Sequence, residues 1–441
     1  MRDILFAMIW IVLFPTAFFS SLSAILLWLW IALATPNLRL YEFMVSVPFN
    51  KIVAAATFIT LMGRREKKDF YLDSLLILFI LFIIFCSISD FLPLYDIIDF
   101  DYNYDKITKV FVLFVAMLGI VHNRLRLHAC VVVVVISMGL VGGFEAAAYI
   151  VSGGGHKVDG VAGLGDNNGV ALAMEMAVPL SFYLYEYSED RRIRYAFLSL
   201  IIAFVITVVS SGSRGGVLGL AVLAVTLLVN SRQKVTLGLL YIVVLAVLYF
   251  VVADDWFSRV DTIQDSEQNM SFLGRVMAWK ISFLIAMDHP FTGGGFSAVL
   301  APNVWTQYYP VANGIGIIDT SNVPMRSLAA HSIYFQTLGD LGFTGFFCYM
   351  TIMFVSLIKC HNVIRRCRKR KDMRWAADLA RMLQISIIVY AAAGSLLSVA
   401  YVEMYWIYIA LVSRLDRTSR LMIDPPKQIF YAGETQSAEA G

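Results

Sequence analysis

Residues 208–220, VVSSGSRGGVLGL, place one arginine between two long apolar runs. Ser213 precedes Arg214 and two glycines follow it, and the flanking runs are long enough to lie in a membrane. An ionisable residue within a membrane-spanning region is costly and is mostly retained for a function. The stretch therefore indicates a helical membrane protein with a candidate functional residue at a helix end.

The composition of the chain is that of a polytopic membrane protein. Hydrophobic residues make up 59% of 441, and the mean hydropathy is +0.72. Charged residues make up 15%, below the ~25% of soluble domains. The five cysteines include no CxxC pair, so neither a disulfide framework nor a zinc site is expected. No Walker or Rossmann fingerprint supports ATP or nicotinamide chemistry, and we expect no cofactor and no nucleic-acid partner.

Apolar runs long enough, or nearly so, to cross the ~30 Å hydrocarbon layer recur along the chain. Pro15 and the serines after it interrupt the first run, so the sequence predicts 12 or 13 transmembrane helices in an all-α fold, with 12 favoured. The N-terminus is expected to be a retained membrane segment. The predicted spans are 4–34, 50–62, 73–90, 107–121, 128–150, 169–187, 196–210, 215–230, 236–253, 333–358, 376–397 and 400–414.

The distribution of lysine and arginine predicts the orientation. Basic clusters occupy alternate connections, as the positive-inside rule requires of cytoplasmic loops. The clusters are Arg64, Arg65, Lys67 and Lys68; Arg124 and Arg126; Arg191, Arg192 and Arg194; Arg232 and Lys234; and the run from Arg365 to Arg374. The intervening connections are predicted to face outward, and they are 91–106, 151–168, 211–214 and 254–330.

The outward segment 254–330 is too long for a plain connector, and long loops are often functional. Within it, residues 271–287 have the pattern of an amphipathic helix that could lie along the membrane surface. Its predicted apolar face is Phe272, Leu273, Val276, Met277, Phe283 and Leu284, and its small polar stripe is Ser271, Arg275, Ala278 and Ser282. The predicted organisation is an N-terminal bundle at 1–253, this loop region, C-terminal membrane helices at 331–414 and a cytoplasmic tail at 415–441.

Three predicted helices begin at the outer face beside polar residues. Arg214 precedes the helix 215–230, His331 precedes the helix 333–358, and Asp166, Asn167 and Asn168 precede the helix 169–187. Helix starts attract anions through their free N–H groups and their dipole, and Gly215 and Gly216 would let a phosphate approach the backbone. An arginine adds bidentate contacts to phosphate oxygens. The topology therefore predicts one anion-binding site.

Each of these residues also has an ordinary structural interpretation. Arg214 could reach the lipid headgroups, Arg275 could solvate a surface helix, and His331 could be a hydrogen-bonded structural residue. The Asp99-Phe100-Asp101 motif could bind a divalent metal but arises easily by chance in an acidic loop. We expect it to be accidental and the site to hold no metal.

Four motifs together resemble the O-antigen ligase and polymerase superfamily. They are SGSRGG (211–216), GRVMAWK (274–280), HPFTGGGF (289–296) and AHSIYFQTLGDLG (330–342). The N-terminal third, with MRDILF, LLWLWIALATPNL and VPFNKIVAAATF, is similar to the O-glycosylation ligases associated with exosortase A systems. The family often has Asn and Glu where this chain has Ser332 and Asp340.

The resemblance implies a bacterial inner-membrane enzyme with a periplasmic active site. It would move a preassembled glycan from undecaprenyl pyrophosphate to a hydroxyl of lipid A core, a protein or another glycan. Arg214 and Arg275 match the arginines that would hold the pyrophosphate, and His331 matches the histidine that would activate the acceptor. The chemistry needs charge stabilisation and a base, which arginines, helix starts and a histidine supply without a metal.

Other classes remain open from the sequence. A repeat-unit polymerase would share the donor chemistry of a ligase. A lipid-linked glycan transporter would favour broken midplane helices and repeated halves, and no internal repeat is found. A non-enzymatic assembly subunit would tolerate loss of the two arginines and the histidine.

Overall fold

The computed structural model describes residues 2–36, 40, 43–94, 101–161, 163–230 and 266–424. Helices dominate this part of the chain, with a hairpin of two short antiparallel strands, β1 (Gly160–Val161) and β2 (Gly165–Asp166). The α-helices are α1 (Arg2–Leu13), α2 (Ser21–Ala34), α3 (Phe49–Gly63), α4 (Ser74–Phe91), α5 (Asp101–Ile120), α6 (Arg124–Val151), α7 (Asn167–Tyr187), α8 (Arg191–Ser210), α9 (Arg214–Asn230), α10 (Ser266–Asp288), α11 (Pro302–Asn313), α12 (Ile333–Cys367), α13 (Arg374–Ala393) and α14 (Glu403–Ile423).

The predicted helical membrane fold is confirmed in its coarse form. In the described residues, six segments are long and apolar enough to cross a membrane: Ser74–Phe91, Arg124–Val151, Arg191–Ser210, Met270–Asp288, Ile333–Cys367 and Arg374–Leu396. Shorter apolar helices lie at Ser21–Ala34, Phe49–Gly63 and Arg214–Val229. The count of about 12 spans stays a prediction, and the predicted span 236–253 lies outside the described residues.

The first predicted run is divided, as its proline indicates. The helix α1 ends at Leu13, a 3-10 helix covers Phe14–Phe18, and α2 starts at Ser21. Pro15 lies in the first turn of the 3-10 helix, where its missing N–H costs no hydrogen bond. The Ser20 side chain caps α2 by accepting a hydrogen bond from the Ser23 N–H at 3.0 Å.

The helix α12 is interrupted, although the sequence pattern predicts a continuous span at 333–358. Gly342 has φ +66° and ψ −169°, a conformation open essentially to glycine alone. The residue after it, Phe343, donates its N–H to the carbonyl of Pro290 at 2.9 Å instead of to its own helix. Hydropathy did not reveal the break because glycine inside an apolar run leaves the pattern unchanged.

The loop 289–296, HPFTGGGF, packs against this break. Its Gly294 N–H donates to the Gly339 carbonyl at 2.9 Å, and its Gly295 N–H donates to the Asp340 carbonyl at 3.1 Å. Backbone groups away from water need partners within the protein. The loop supplies the hydrogen bonds that the interrupted helix cannot make for itself.

Asp340, two residues before Gly342, forms hydrogen bonds with three other parts of the chain. Its carboxylate accepts hydrogen bonds from the Ser297 N–H and the Tyr401 hydroxyl, each at 2.9 Å. Its backbone carbonyl accepts one from the Ser89 hydroxyl of α4 at 2.7 Å. The aspartate therefore ties α4, the glycine loop and the segment before α14 to the break in α12.

The helix α14 is longer than the predicted span 400–414. It continues to Ile423, so the segment assigned to a tail begins as packed helix. The fully buried Arg414 donates to the carbonyls of Asp69 at 3.1 Å and Leu118 at 2.9 Å, and Arg417 pairs with the Asp69 carboxylate at 2.6 Å. The hydrogen bond from Arg417, partly opposed by burial and reinforced by Arg414, lowers the pKa of Asp69 to about 2.

The helix predicted at 271–287 is present as α10, but its packing differs from the prediction. Phe272 and Phe283, assigned to the apolar face, are exposed, whereas Ala278 and Ser282 of the polar stripe are fully buried. The reason is close approach to α12, since a Cβ on Gly339 would lie 3.1 Å from that of Ser282. The surface position of this helix stays a prediction.

We predict that Gly342→Ala destabilises the protein strongly. A Cβ there would lie 2.7 Å from the carbonyl oxygens of His289 and Pro290, and the backbone conformation alone costs ~1–3 kcal/mol in any other residue. Thermal unfolding in detergent, followed with a thiol-reactive dye, measures the loss because all five cysteines are buried. Gly143→Ala is the matched control, since its Cβ meets nothing within 4 Å, and an equal midpoint for the two variants would contradict this interpretation.

Candidate functional site

The start of α7 is fixed by the side chain of Asp166. Its carboxylate caps the helix by accepting a hydrogen bond from the Gly169 N–H at 3.0 Å, and it accepts a second from the Asn168 side chain at 3.0 Å. Asp166 also lies in the second strand of the hairpin, opposite Gly160. The hairpin and the cap together hold the predicted residues 166–168 at one place.

The start of α9 is joined to the start of α7. The turn before it passes through Gly212 at φ +60°, and the Ser213 hydroxyl donates to the Asn168 side-chain oxygen at 2.6 Å. The same hydroxyl accepts a hydrogen bond from the Gly216 N–H at 3.0 Å. One serine thus caps α9 and links two helix starts, which positions Arg214 beside Asn168.

A cavity of about 340 Å³ opens between these helix starts and α10. It is lined by Asn168, Gly212, Arg214, Gly215, Ser271, Arg275 and Leu396. Neither the side chain of Arg214 nor that of Arg275 makes a hydrogen bond or an ion pair with any residue that the structure describes. Two like charges held in one cavity repel each other, and a bound dianion would relieve that repulsion.

His331 lies close to this cavity without lining it. It has φ +44°, an uncommon conformation for a residue with a side chain, and α12 begins two residues later. Burial, and then the positive charge of Arg275, lower the pKa of His331, while Asp166 opposes them. The imidazole is therefore neutral at neutral pH and can accept a proton.

Trp279 connects Arg275 to the histidine. It lies one turn after Arg275 on α10, and its indole N–H donates to the carbonyl of Ala330, the residue before His331, at 2.6 Å. Its ring stacks on Phe335 with a centroid distance of 5.0 Å and an interplanar angle of 7°. This contact fixes the spacing between the α10 arginine and the histidine.

The structure brings together some of the predicted residues and gives others structural contacts. Asn168, Arg214, Gly215 and Arg275 line one cavity. The side chain of Asn167 instead donates to the Ser211 carbonyl at 2.8 Å. Gly216 allows close helix packing, because a Cβ there would lie 3.0 Å from Val208 and 3.1 Å from Ala171. The close approach of a phosphate to the backbone at Gly215 and Gly216 stays a prediction.

The Asp99-Phe100-Asp101 motif lies outside the described side chains, as does the beginning of the loop region, 254–265. Among the side chains that the structure does describe, no group of three or more histidine, cysteine, aspartate or glutamate residues is placed to hold a metal ion.

Sequence reasoning placed Ser271 on the polar stripe with Arg275 without assigning it to the site, and it missed Leu396 and Trp279. Leu396 lies at the predicted outer end of the span 376–397, so the topology alone could have suggested it. Ser271 and Trp279 lie one turn on either side of Arg275, and helical spacing puts them on the same face. The contact of Trp279 with Ala330 joins residues 51 positions apart, which no local pattern reveals.

Comparison with known families gives a match that covers this region of the chain. Residues 170–350 match the family described as O-Antigen ligase. That range contains Arg214, Arg275 and His331. Residues 1–189 match a family described only as "Family of unknown function (DUF5935)", and no curated protein matches the chain.

The ligase match supports an O-antigen ligase or polymerase type of membrane enzyme. Such an enzyme has glycosyltransferase-like ligase activity and, in general terms, a lipid-linked glycan donor and an acceptor. The apolar helices and the family together support a multi-pass membrane protein.

We predict that Trp279→Phe lowers the rate of glycan transfer through the position of His331. The substitution keeps an aromatic ring against Phe335 but removes the hydrogen bond to the Ala330 carbonyl, a loss worth about 1–3 kcal/mol. The matched control is Trp305→Phe, which removes a hydrogen bond of the same length, 2.6 Å to the Val299 carbonyl. Trp305 belongs to the apolar cluster against which Trp279 packs, but its indole bonds to Val299 and not to Ala330 beside His331. Both variants should be less stable than the wild type, but only Trp279→Phe should have a lower turnover. Equal turnover of the two variants would argue against a positioning role for Trp279.

Proposed function

We propose that the protein transfers a preassembled glycan en bloc from undecaprenyl pyrophosphate to an acceptor hydroxyl of lipid A core or a protein. The reaction would take place at the periplasmic face of a bacterial inner membrane. The observation that carries the proposal is the cavity in which Arg214 and Arg275 converge without ion-pair partners among the described residues, close to a neutral histidine.

The donor pyrophosphate would lie against the two arginines. As the bond from the anomeric carbon to the phosphate oxygen breaks, negative charge develops on the leaving group. Positively charged groups that are already in place stabilise that charge without having to reorganise. Arg214 and Arg275 supply this positive charge. The starts of α7 and α9, with Asn168 and Gly215, add polar groups at the same cavity.

The acceptor would be activated by His331. Its neutral imidazole takes the proton of the acceptor hydroxyl while the oxygen forms a bond to the anomeric carbon, and the pyrophosphate leaves with the bonding electrons. Direct displacement inverts the anomeric centre. The negative charge of the nearby Asp166 carboxylate raises the pKa of His331 and so favours the imidazolium that forms.

We predict that Arg214→Ala and Arg275→Ala each reduce transfer ~10²–10³-fold or more, since each removes charge from the leaving-group site. Arg214→Lys should also be poor, because a point charge cannot reproduce a bidentate contact with pyrophosphate. Transfer from a lipid-linked donor in proteoliposomes measures the effect. Arg326→Ala is the control, as this exposed arginine does not line the cavity; near-normal turnover of Arg214→Ala would contradict the proposal.

We predict that His331→Ala retains donor binding but loses acceptor attack. In the unmodified enzyme the rate should rise as pH increases through a value below the ordinary 6.5, because the lowered pKa of His331 makes the base available early, and it should then stay level to about pH 8. The pH profile of single-turnover transfer measures this. A rate that falls as pH rises through this range would remove His331 from the role of base.

We predict that transfer persists in EDTA, since arginines and helix starts provide the positive charge. Activity measured before and after chelation, with magnesium or manganese added back, tests this. Loss on chelation and recovery with the metal would favour a metal-dependent enzyme using Asp99 and Asp101.

A further inference from the structure

A second cavity lies at the end of α12 far from His331. It has about 390 Å³ and is lined by Asn362, Arg365, Arg366 and Arg420, which we call the basic pocket. Its residues come from the last turns of α12 and α14. The proposed transfer chemistry uses none of them.

The basic pocket has more positive charge than its surroundings neutralise. Asp416 pairs with Arg366 at 2.8 Å, with Arg420 at 3.1 Å and with Lys359 at 3.2 Å. Lys359 pairs also with Asp73 at 2.7 Å, whereas Arg365 makes no ion pair with any described residue. Four cations against two carboxylates leave an excess of two positive charges. An anion of one or two charges complements this arrangement.

One exposed face of α12 ends at the basic pocket. Phe347, Phe354 and Ile358 are exposed, by 61%, 65% and 42%, and they follow one another at helical spacing on the face that ends at Arg365. We call these three residues the apolar stripe. In a helix that crosses a membrane, such a face meets acyl chains, and the arginine at its end lies where a headgroup would be.

We propose that the basic pocket binds the phosphate of an anionic phospholipid whose acyl chains lie along the apolar stripe. The apolar stripe runs directly into the basic pocket, which favours a lipid over a free phosphate. A lipid would contact both features, whereas a soluble anion would contact only the arginines. Arginine suits this task, since its planar guanidinium can contact two phosphate oxygens at once. Asp416 keeps Arg366 and Arg420 oriented while Arg365 is left for the ligand.

The test compares lipid binding by the full-length protein and its pocket variants. Native mass spectrometry of detergent-purified protein measures retention of phosphatidylglycerol against phosphatidylcholine. We expect preferential retention of phosphatidylglycerol, weakened roughly fivefold for each arginine lost in Arg365→Gln and in Arg365→Gln/Arg420→Gln. Retention of phosphatidylcholine should not change. Wild-type retention of phosphatidylglycerol by the double variant would overturn the proposal.

The control variant changes the same charge elsewhere. Arg191→Gln/Arg192→Gln removes two exposed arginines from the start of α8, outside the basic pocket, and should leave lipid retention unchanged. Equal loss in this control would show that overall charge decides retention. Arg365→Gln breaks no side-chain hydrogen bond or ion pair among the described residues. Its thermal midpoint without lipid should therefore equal that of the wild type, and its binding result stands even if the double variant unfolds.

The source of the phosphate is tested by competition. Excess inorganic phosphate should not displace phosphatidylglycerol, and Phe354→Ser/Ile358→Ser should weaken retention of the lipid. Displacement by inorganic phosphate together with undiminished retention in the stripe variant would make the pocket a site for a soluble anion and overturn the lipid assignment.

Discussion

The half of the structure that contains the candidate site depends on backbone hydrogen bonds around the break at Gly342. A helix that stops and restarts away from water leaves N–H and carbonyl groups without partners, which is costly unless the protein supplies them. The loop 289–296 and Asp340 do so, and they connect α4, α10, α12 and the segment before α14 in one network. Because α10 carries Arg275 and the first part of α12 follows His331, this network also sets where the candidate site residues lie.

The arginines at the two ends of the protein differ in how they are neutralised. Arg414 is fully buried, and three carbonyl groups and the Asp69 carboxylate satisfy it. Arg214 and Arg275 instead converge on a cavity with no ion pair to a described residue. Burying a charge is tolerated when it is paired, so the first arrangement is structural. The second keeps positive charge available for a ligand.

The helix starts explain why the cavity suits an anion. Ser213 and Asp166 cap α9 and α7 and are linked through Asn168, so the two helix ends meet rather than point apart. Their dipoles and the two arginines therefore act on the same volume. Burial lowers the pKa of His331, and the positive charge of Arg275 lowers it further. Arg275 therefore bears on both the proposed leaving-group site and the proposed base.

The sequence by itself determined the membrane class, the position of most helices, the break at Pro15 and the place of Arg214 at a helix start, because hydropathy, proline and capping signals are local. Only the tertiary structure decided the break at Gly342, the packing role of Gly216, the contact of Trp279 with Ala330 and the continuation of α14 to Ile423. Each of these depends on contacts between residues far apart in the chain, and no local pattern encodes which distant backbone a glycine or an indole will meet.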